Sequence, residues 1–374
     1  MARTALRELA WLFLRLGATS FGGPAVHVAM MEEEVVRRRA WMTRERFLDL
    51  YGATNLIPGP NSTEMAIHIG HERAGWLGLI VAGTCFLAPA VAIVTAIAWA
   101  YVRYGALPAV AGVLYGLKPV ILAIVVQALV NLGRTAIKTV RLGAIGALAL
   151  AASLLGIDEL AVLAAAGVAA ALARRRPPAA AGWWPWPLLA TGGTAATKLA
   201  LAPLFLAFLK IGAVLFGSGY VLLAFMRGDL VERHGWLTEQ QLLDAIAVGQ
   251  VTPGPVFTTA TFVGYTLSGF AGAAVATVGI FLPAFVFVAA SGPLVPRLRA
   301  SPVAGAVLDG VNVASLALMA AVTIELSRAA IVDVPTVLLG AAGAVLLLVF
   351  RVRASWLALA GAAAGAAITL LSGY

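Results

Sequence analysis

Apolar residues run along the chain in long stretches separated by short polar loops, at 9–30, 76–102, 107–132, 142–173, 199–225, 269–290, 303–324, 331–350 and 356–371. Most of these stretches reach the ~20 residues that an α-helix needs to cross bilayer hydrocarbon. Helices are the expected elements, because a segment in lipid must satisfy its backbone polar groups internally. Two early segments interrupt the pattern. One passes through Gly17 into Phe21-Gly22-Gly23-Pro24, and the other, 47–70, is cut in its middle by Pro58-Gly59-Pro60. Proline lacks an amide hydrogen and disfavours helix in the residue before it, so Pro-Gly-Pro is expected to end one helix and start another. Irregular backbone at membrane depth needs protein or a water-filled cavity around it.

The same interruptions recur. Residues 13–60 align without gaps to 208–255, with 18 of 48 positions identical, against about three expected by chance at ordinary composition. Phe21-Gly22 falls on Phe216-Gly217, Trp41-x-Thr43 on Trp236-x-Thr238, Leu48-Asp49 on Leu243-Asp244, and Pro58-Gly59-Pro60 on Pro253-Gly254-Pro255. Further on, Gly116 matches Gly310 and Arg134 matches Arg328. The chain therefore reads as a first transporter repeat (1–173), a basic, proline- and tryptophan-rich linker (174–198) and a second repeat (199–374). Duplication of this kind is a common plan of secondary transporters, whose substrate site lies between the repeats.

Composition narrows the class. Of 374 residues, 61% are hydrophobic and 11% charged, and the mean hydropathy of +0.94 lies far from the balance of soluble domains. The expected fold class is an all-α, multi-pass integral membrane protein of two homologous halves. A net charge of +9 resides in loops, where membrane topology explains it without a nucleic-acid partner. If both interrupted segments of the first half are hairpins, Arg37, Arg38, Arg39, Arg44, Arg46, Arg73 and the later basic loops fall on the cytoplasmic side. Arg297, Arg299, Arg351 and Arg353 join them if the second half is inverted. Cys85 lies in an apolar stretch and builds no disulfide framework. No A-x-A cleavage site follows the first apolar segment, so it is expected to remain in the mature chain. No zinc-type Cys/His cluster, Walker motif or dinucleotide glycine motif occurs, so neither a metal or other cofactor nor ATP-driven pumping is expected.

The candidate chemistry follows from the breaks. A helix start within the membrane offers free amide hydrogens and partial positive charge, which suit an anion. After the first Pro-Gly-Pro come Asn61, Ser62 and Thr63, and after the second Thr258 and Thr259, with Thr63 and Thr258 equivalent by count from the turns. Two such starts facing one another would make a cradle for a tetrahedral oxyanion; one alone would read as a capped kink. The predicted substrate-binding set is Arg15, Gly22, Gly23, Pro58, Gly59, Pro60, Asn61, Ser62, Thr63, Lys118, Lys210, Gly217, Gln250, Pro253, Gly254, Pro255, Thr258 and Thr259. Arg15 and Lys210 are matched cations within apolar segments, where they either attract the anion or anchor at an interface. Lys118 is either a third such cation or half of a structural pair. Glu64, one turn beyond Pro60, either couples proton movement or bridges to Arg73. His68 and His71 follow it at i+4 and i+7 on one helical face, and read as packed or interfacial. Asp49 and Asp244 are matched, and read as partners of loop arginines.

The motifs Phe13–Pro24 (FLRLGATSFGGP), Arg37–Thr43 (RRRAWMT), Pro58-Gly59-Pro60, Gly235-Trp236-Leu237-Thr238, Gln250-Val251-Thr252-Pro253-Gly254-Pro255 and Thr261-Phe262-Val263-Gly264-Tyr265 together resemble those of the chromate transporter family in its long, two-domain form. The resemblance covers nearly the whole chain. It implies export of chromate from a bacterial cytoplasm, driven by the membrane potential or a proton gradient, with sulfate as the look-alike, and halves of opposite orientation. The family usually carries glutamine before the first Pro-Gly-Pro and uncharged polar residues after it, whereas this chain has Asn55 and Glu64. Expected partners are a chromate- or sulfate-like oxyanion and the lipid of the inner (cytoplasmic) membrane, with a homodimer left open. Two other classes compete: a channel, and a membrane-embedded enzyme using Glu64, His68 and His71. The enzyme reading leaves the second Pro-Gly-Pro without a purpose.

Overall fold

A computed structural model describes residues 2–21, 23–105, 107–173, 201–216 and 221–372, all helical or in short connections. The linker 174–198 lies outside them. Helix α1 (Ala2–Thr19) stops at the Phe21-to-Pro24 break, and α2 (Pro24–Glu32) resumes with proline in its first turn and widens into a π-turn, Glu33–Arg38. Helix α3 (Arg44–Thr54) is capped by Thr43, whose hydroxyl accepts the Arg46 amide at 3.2 Å. After Pro58-Gly59-Pro60 comes α4 (Asn61–Tyr104), then α5 (Pro108–Ala136), α6 (Val140–Leu154) and α7 (Glu159–Ala173).

The second half repeats this order with α8 (Leu201–Val214), α9 (Leu222–Met226) with its π-turn Arg227–Arg233, α10 (Glu239–Val251), α11 (Thr259–Ala300), α12 (Pro302–Ala330), α13 (Val334–Leu348) and α14 (Ala354–Ser372). Among the described residues, five helical elements are long and apolar enough to cross a membrane: those containing 61–104, 110–136, 256–291, 302–330 and 354–371. The apolar run 142–173, which reads as one segment, is two helices. Gly156 turns the chain at φ +79°, and Asp158 caps α7 by accepting the Leu160 and Ala161 amides.

Neither α4 nor α11 is one rod. Ala74 (φ −147°) and Gly75 (φ +63°) leave helical geometry, as do Ser268 (φ −146°) and Gly269 (φ +62°) at the matching place. A Cβ built on Gly70 would lie 2.2 Å from the carbonyl oxygen of Gly78, and one on Gly264 would lie 2.3 Å from that of Gly272. Residues eight apart on a straight helix are separated by about 12 Å. Each element is therefore a tight hairpin, in which a short arm (61–73 or 259–267) folds back on a long one (76–104 or 270–300). These glycines are 194 apart and the Pro-Gly-Pro turns 195, so the second half lacks one residue between them. The 3₁₀ turn Val256–Thr258 absorbs the difference, since its rise per residue is larger than that of an α-helix.

The halves interlock. Helix α1 packs on 76–104 through Gly17, whose built Cβ would meet the Phe86 carbonyl, and α8 packs on 270–300 through Gly212 against Ile280. Beyond that, partners are exchanged. Helix α5 of the first half packs on α13 and α14 of the second, with Gly112 and Gly116 against 361–369, while α12 packs on α6 and α7, with Gly310 against Ala166 and Ala170. Close approach at small residues is how apolar helices gain contact in lipid, where the hydrophobic effect gives no drive.

Candidate functional site

Both Pro-Gly-Pro turns are buried, and each is bonded to the opposite half. The Gly59 amide donates to the Leu215 carbonyl at 2.8 Å, and the Gly254 amide donates to the Ser20 carbonyl at 2.9 Å. Ser20 and Leu215 are matched residues at the ends of α1 and α8, immediately before the Phe-Gly breaks. A helix end leaves carbonyls without intrahelical donors, and here the turn of the other half supplies one. Gly59 (φ +140°) and Gly254 (φ +93°) hold backbone that favours glycine. A Cβ on Gly254 would stand 2.5 Å from that of Ala90, and one on Gly59 2.4 Å from Glu64 Oε1. Each turn thus meets the first-helix break across the molecule, a pairing that the repeat alone does not reveal.

The hydroxyls lie where the sequence places them, after each turn, and Ser62, Thr63, Thr258 and Thr259 are all buried. Thr258 and Thr259 donate to the Pro255 and Val256 carbonyls at 2.8 and 2.7 Å, leaving lone pairs rather than donors for a ligand. The Thr63 hydroxyl has no partner among the described residues. The amides of Thr63 and Glu64 return to the Pro60 carbonyl, so Asn61 and Ser62 carry the amides left at that helix start. Asn61 also bridges its turn by donating to Asn55 Oδ1 at 2.7 Å. At the second turn, Phe21, Gly23, Gln250, Thr252 and Gly254 line a cavity of about 40 Å³, and Gln250 Nε2 is buried without a partner among the described residues. Counted from the hairpin glycines rather than the turns, Thr258 matches Glu64. Gly22 and Gly217 lie outside the described residues.

All three predicted cations are paired. Arg15 bonds Glu34, and Lys210 bonds Asp229 at 2.7 and 2.9 Å; Glu34 and Asp229 are themselves matched and nearly buried. Arg15 and Lys210 therefore tie the first helix of each half to the π-turn that follows its break. Lys118 meets Asp244 at 2.9 Å and donates to Gln240 at 2.6 Å, while the Tyr101 hydroxyl donates to Asp244 at 2.8 Å. Asp244 thus pairs with a lysine of the other half and not with a loop arginine. This group lines a cavity of about 460 Å³ between α4, α5, α10 and α12, and its one lysine is already neutralised.

Glu64 is fully buried, and among the described residues neither carboxylate oxygen has a partner. Arg73, the alternative partner, bonds Glu8 and covers the Trp41 ring. His68 is buried, with Nε2 unpartnered among the described residues. His71 does not share that surroundings: it is exposed and sits edge-on to Trp76 at 5.2 Å, beside the hairpin turn. His27, which sequence reasoning missed, is buried with Nε2 3.1 Å from the Ser20 carbonyl that also receives Gly254. The Glu34 and Asp229 partners were open to inference, as matched acids one break away from matched cations. Ser20 and Leu215 were not, because they act through backbone.

The family described as "Chromate transporter" matches residues 7–172 and 202–366. The chain is 32% identical to a chromate transport protein of Cupriavidus metallidurans, over 96% of this chain and 92% of that protein. It is 32% identical to a probable chromate transport protein of Synechococcus elongatus, over 90% and 88%, and 27% identical to an uncharacterized transporter of Methanocaldococcus jannaschii, over 84% and 82%. No solved structure matches.

Proposed function

The chain belongs to the chromate transporter family, and on that premise we propose that it exports chromate, or a similar tetrahedral oxyanion such as sulfate, across the cytoplasmic membrane, using the membrane potential or a proton gradient. The observation that carries the reading is the reciprocal docking of two buried Pro-Gly-Pro turns, Gly59 on Leu215 and Gly254 on Ser20. It gives two equivalent places where broken helices, hydroxyls and backbone dipoles converge, the arrangement transporters use near the midplane. Ser62, Thr63 and Gln250 would contact the oxyanion through their own donors, and Thr258 and Thr259 once their hydroxyls turn from the Pro255 and Val256 carbonyls. Arg15, Lys210 and Lys118, held in ion pairs, would shape the site and its potential.

The halves are inverted in this proposal. One salt bridge supports it by reversing sign across the repeat: Glu32 pairs with Arg44 in the first half, and at the matched positions Arg227 pairs with Glu239 in the second. Residues 32–46 hold five arginines, and the matching 227–241 hold two. Basic loops favour the cytoplasm, so matched loops of such different charge suit opposite sides. Glu64, buried beside one turn, would take up a proton while the dianion is bound, since a bare carboxylate repels it; proton and dianion then move together as a net negative charge, which an inside-negative membrane potential drives outward.

The test is chromate flux into proteoliposomes of the purified protein, with sulfate as competitor and a pH gradient imposed or absent. Saturable flux that sulfate inhibits supports the oxyanion site; linear flux without saturation favours a channel. Thr63→Val is expected to weaken substrate binding about tenfold, as for a lost hydrogen bond to a charged group, and Thr258→Val, whose hydroxyl must first leave the Pro255 carbonyl, by less. Unchanged affinity in both removes the cradle.

A further inference from the structure

Glu64, His68 and Glu72 follow one another at i, i+4 and i+8 along the short arm 61–73, and so lie on one face, about 6 Å apart per step. Their surroundings change in order. Glu64, against the Pro-Gly-Pro turn, is fully buried, with both oxygens unpartnered among the described residues. His68 is 7% exposed, with Nε2 unpartnered among the described residues. Glu72 is exposed and bonds Arg46 of α3, with Arg46 Nε at 3.3 Å. A buried titratable group without a partner costs several kcal/mol when charged, and two in succession on one helix face call for a functional account.

We propose that Glu64, His68 and Glu72 form a single proton path, leading from the first Pro-Gly-Pro turn to the surface at the Arg46–Glu72 pair. The inference rests on Glu64 being the coupling group and adds the route that fills and empties it. A proton leaves the Glu64 carboxylic acid for a ring nitrogen of His68, directly or through one water. The opposite nitrogen of the imidazolium then releases a proton to the Glu72 carboxylate, which exchanges with solvent. The charged groups around His68 are His71 and Glu72 on its own arm and Arg46 from α3; among the described residues no ion pair reaches Glu64 from α1, α2, α3 or the 259–300 hairpin.

The path exists once. Counted from the turns, the positions matching Glu64, His68 and Glu72 hold Thr259, Val263 and Leu267; counted from the hairpin glycines they hold Thr258, Phe262 and Thr266. None of these gains or loses a proton near neutral pH. The second arm therefore repeats the hydroxyls of the site without the relay, so two equivalent turns are served by a single proton route.

Two readouts test the path separately from the substrate. In the first, the infrared carbonyl band of a buried carboxylic acid is followed after an alkaline pH jump on the purified protein. Glu64→Gln should remove the band, and His68→Gln and Glu72→Gln should each keep it but slow its loss by about tenfold or more, as expected when an acid–base group is taken from a transfer route. In the second, chromate-driven proton movement into proteoliposomes should fall about tenfold in His68→Gln, while chromate exchange without a gradient stays within about twofold of the parent. A band that decays at the parental rate in both His68→Gln and Glu72→Gln overturns the path even if chromate is carried. A slowed band in a protein that carries no chromate leaves the path standing and removes the substrate. If His68→Gln misfolds, Glu72→Gln at the exposed end decides alone.

Discussion

Replacing Gly254 by alanine separates what the interlocking of the halves requires from what the turn itself requires. An alanine there must hold φ at +93°, a strain of about 1–3 kcal/mol. It must also place its Cβ 2.5 Å from that of Ala90, where carbon atoms normally stay about 3.5–4.0 Å apart, and relief by shifting backbone costs about 1–3 kcal/mol more. The whole change is expected to destabilise by about 2–6 kcal/mol. Only the second part involves Ala90, so Ala90→Gly in the same chain should return about 1–3 kcal/mol of it. That change made alone costs about 1 kcal/mol as a glycine within a helix. The cycle is read by denaturant or thermal unfolding of the purified protein in detergent, followed by circular dichroism. Gly75→Ala serves as the control, because at φ +63° its Cβ meets nothing within 4 Å and Ala90 cannot help it. Additivity of Gly254→Ala and Ala90→Gly to within about 0.5 kcal/mol would refute the contact, and an undiminished stability of Gly254→Ala would refute both parts.

Other expectations are independent of that contact. Ala40 holds φ at +48° where the second half has Gly235 at +63°, so Ala40→Gly should stabilise by up to about 1 kcal/mol, and a lowered melting temperature would contradict this. Lys118→Met strands the buried Asp244 and is expected to cost about 3–5 kcal/mol, most of which Lys118→Met with Asp244→Asn should recover; equal melting of the single and double variants would show that the pair does not act as a unit. With Cys85 replaced by alanine, cysteines at the matched positions Arg37 and Glu232 should be labelled from opposite sides of the membrane by an impermeant maleimide, and labelling from one side would remove the inversion.

What the sequence makes legible is what acts locally. Pro58-Gly59-Pro60 and the Phe21-to-Pro24 break announce themselves, because proline and glycine limit their own backbone whatever surrounds them. The return at Ala74-Gly75 is hidden, since it contains no proline and lies just before an apolar run that reads as a simple span. Helices α6 and α7 merge in the sequence because only Gly156 and Asp158 mark their border. The candidate site was partly legible: the hydroxyls follow the turns in buried positions, and Glu64 is buried beside its turn. Their partners were not, because a repeat identifies equivalent residues without saying which half each one contacts. Lys118 and Asp244 looked like separate charges for the same reason.

The exchange of helices between halves has a consequence for how the chain is made. Helix α5 is complete at residue 136, while α14, which it packs against through Gly112 and Gly116, ends at residue 372. At synthesis rates of 5–20 residues per second, its partner follows roughly 10–50 s later. During that interval a membrane-inserted first half has lipid, or whatever machinery attends insertion, along the face that α13 and α14 will cover. A nascent chain released early would present an unmatched surface of small residues, ready to accept the corresponding surface of another copy.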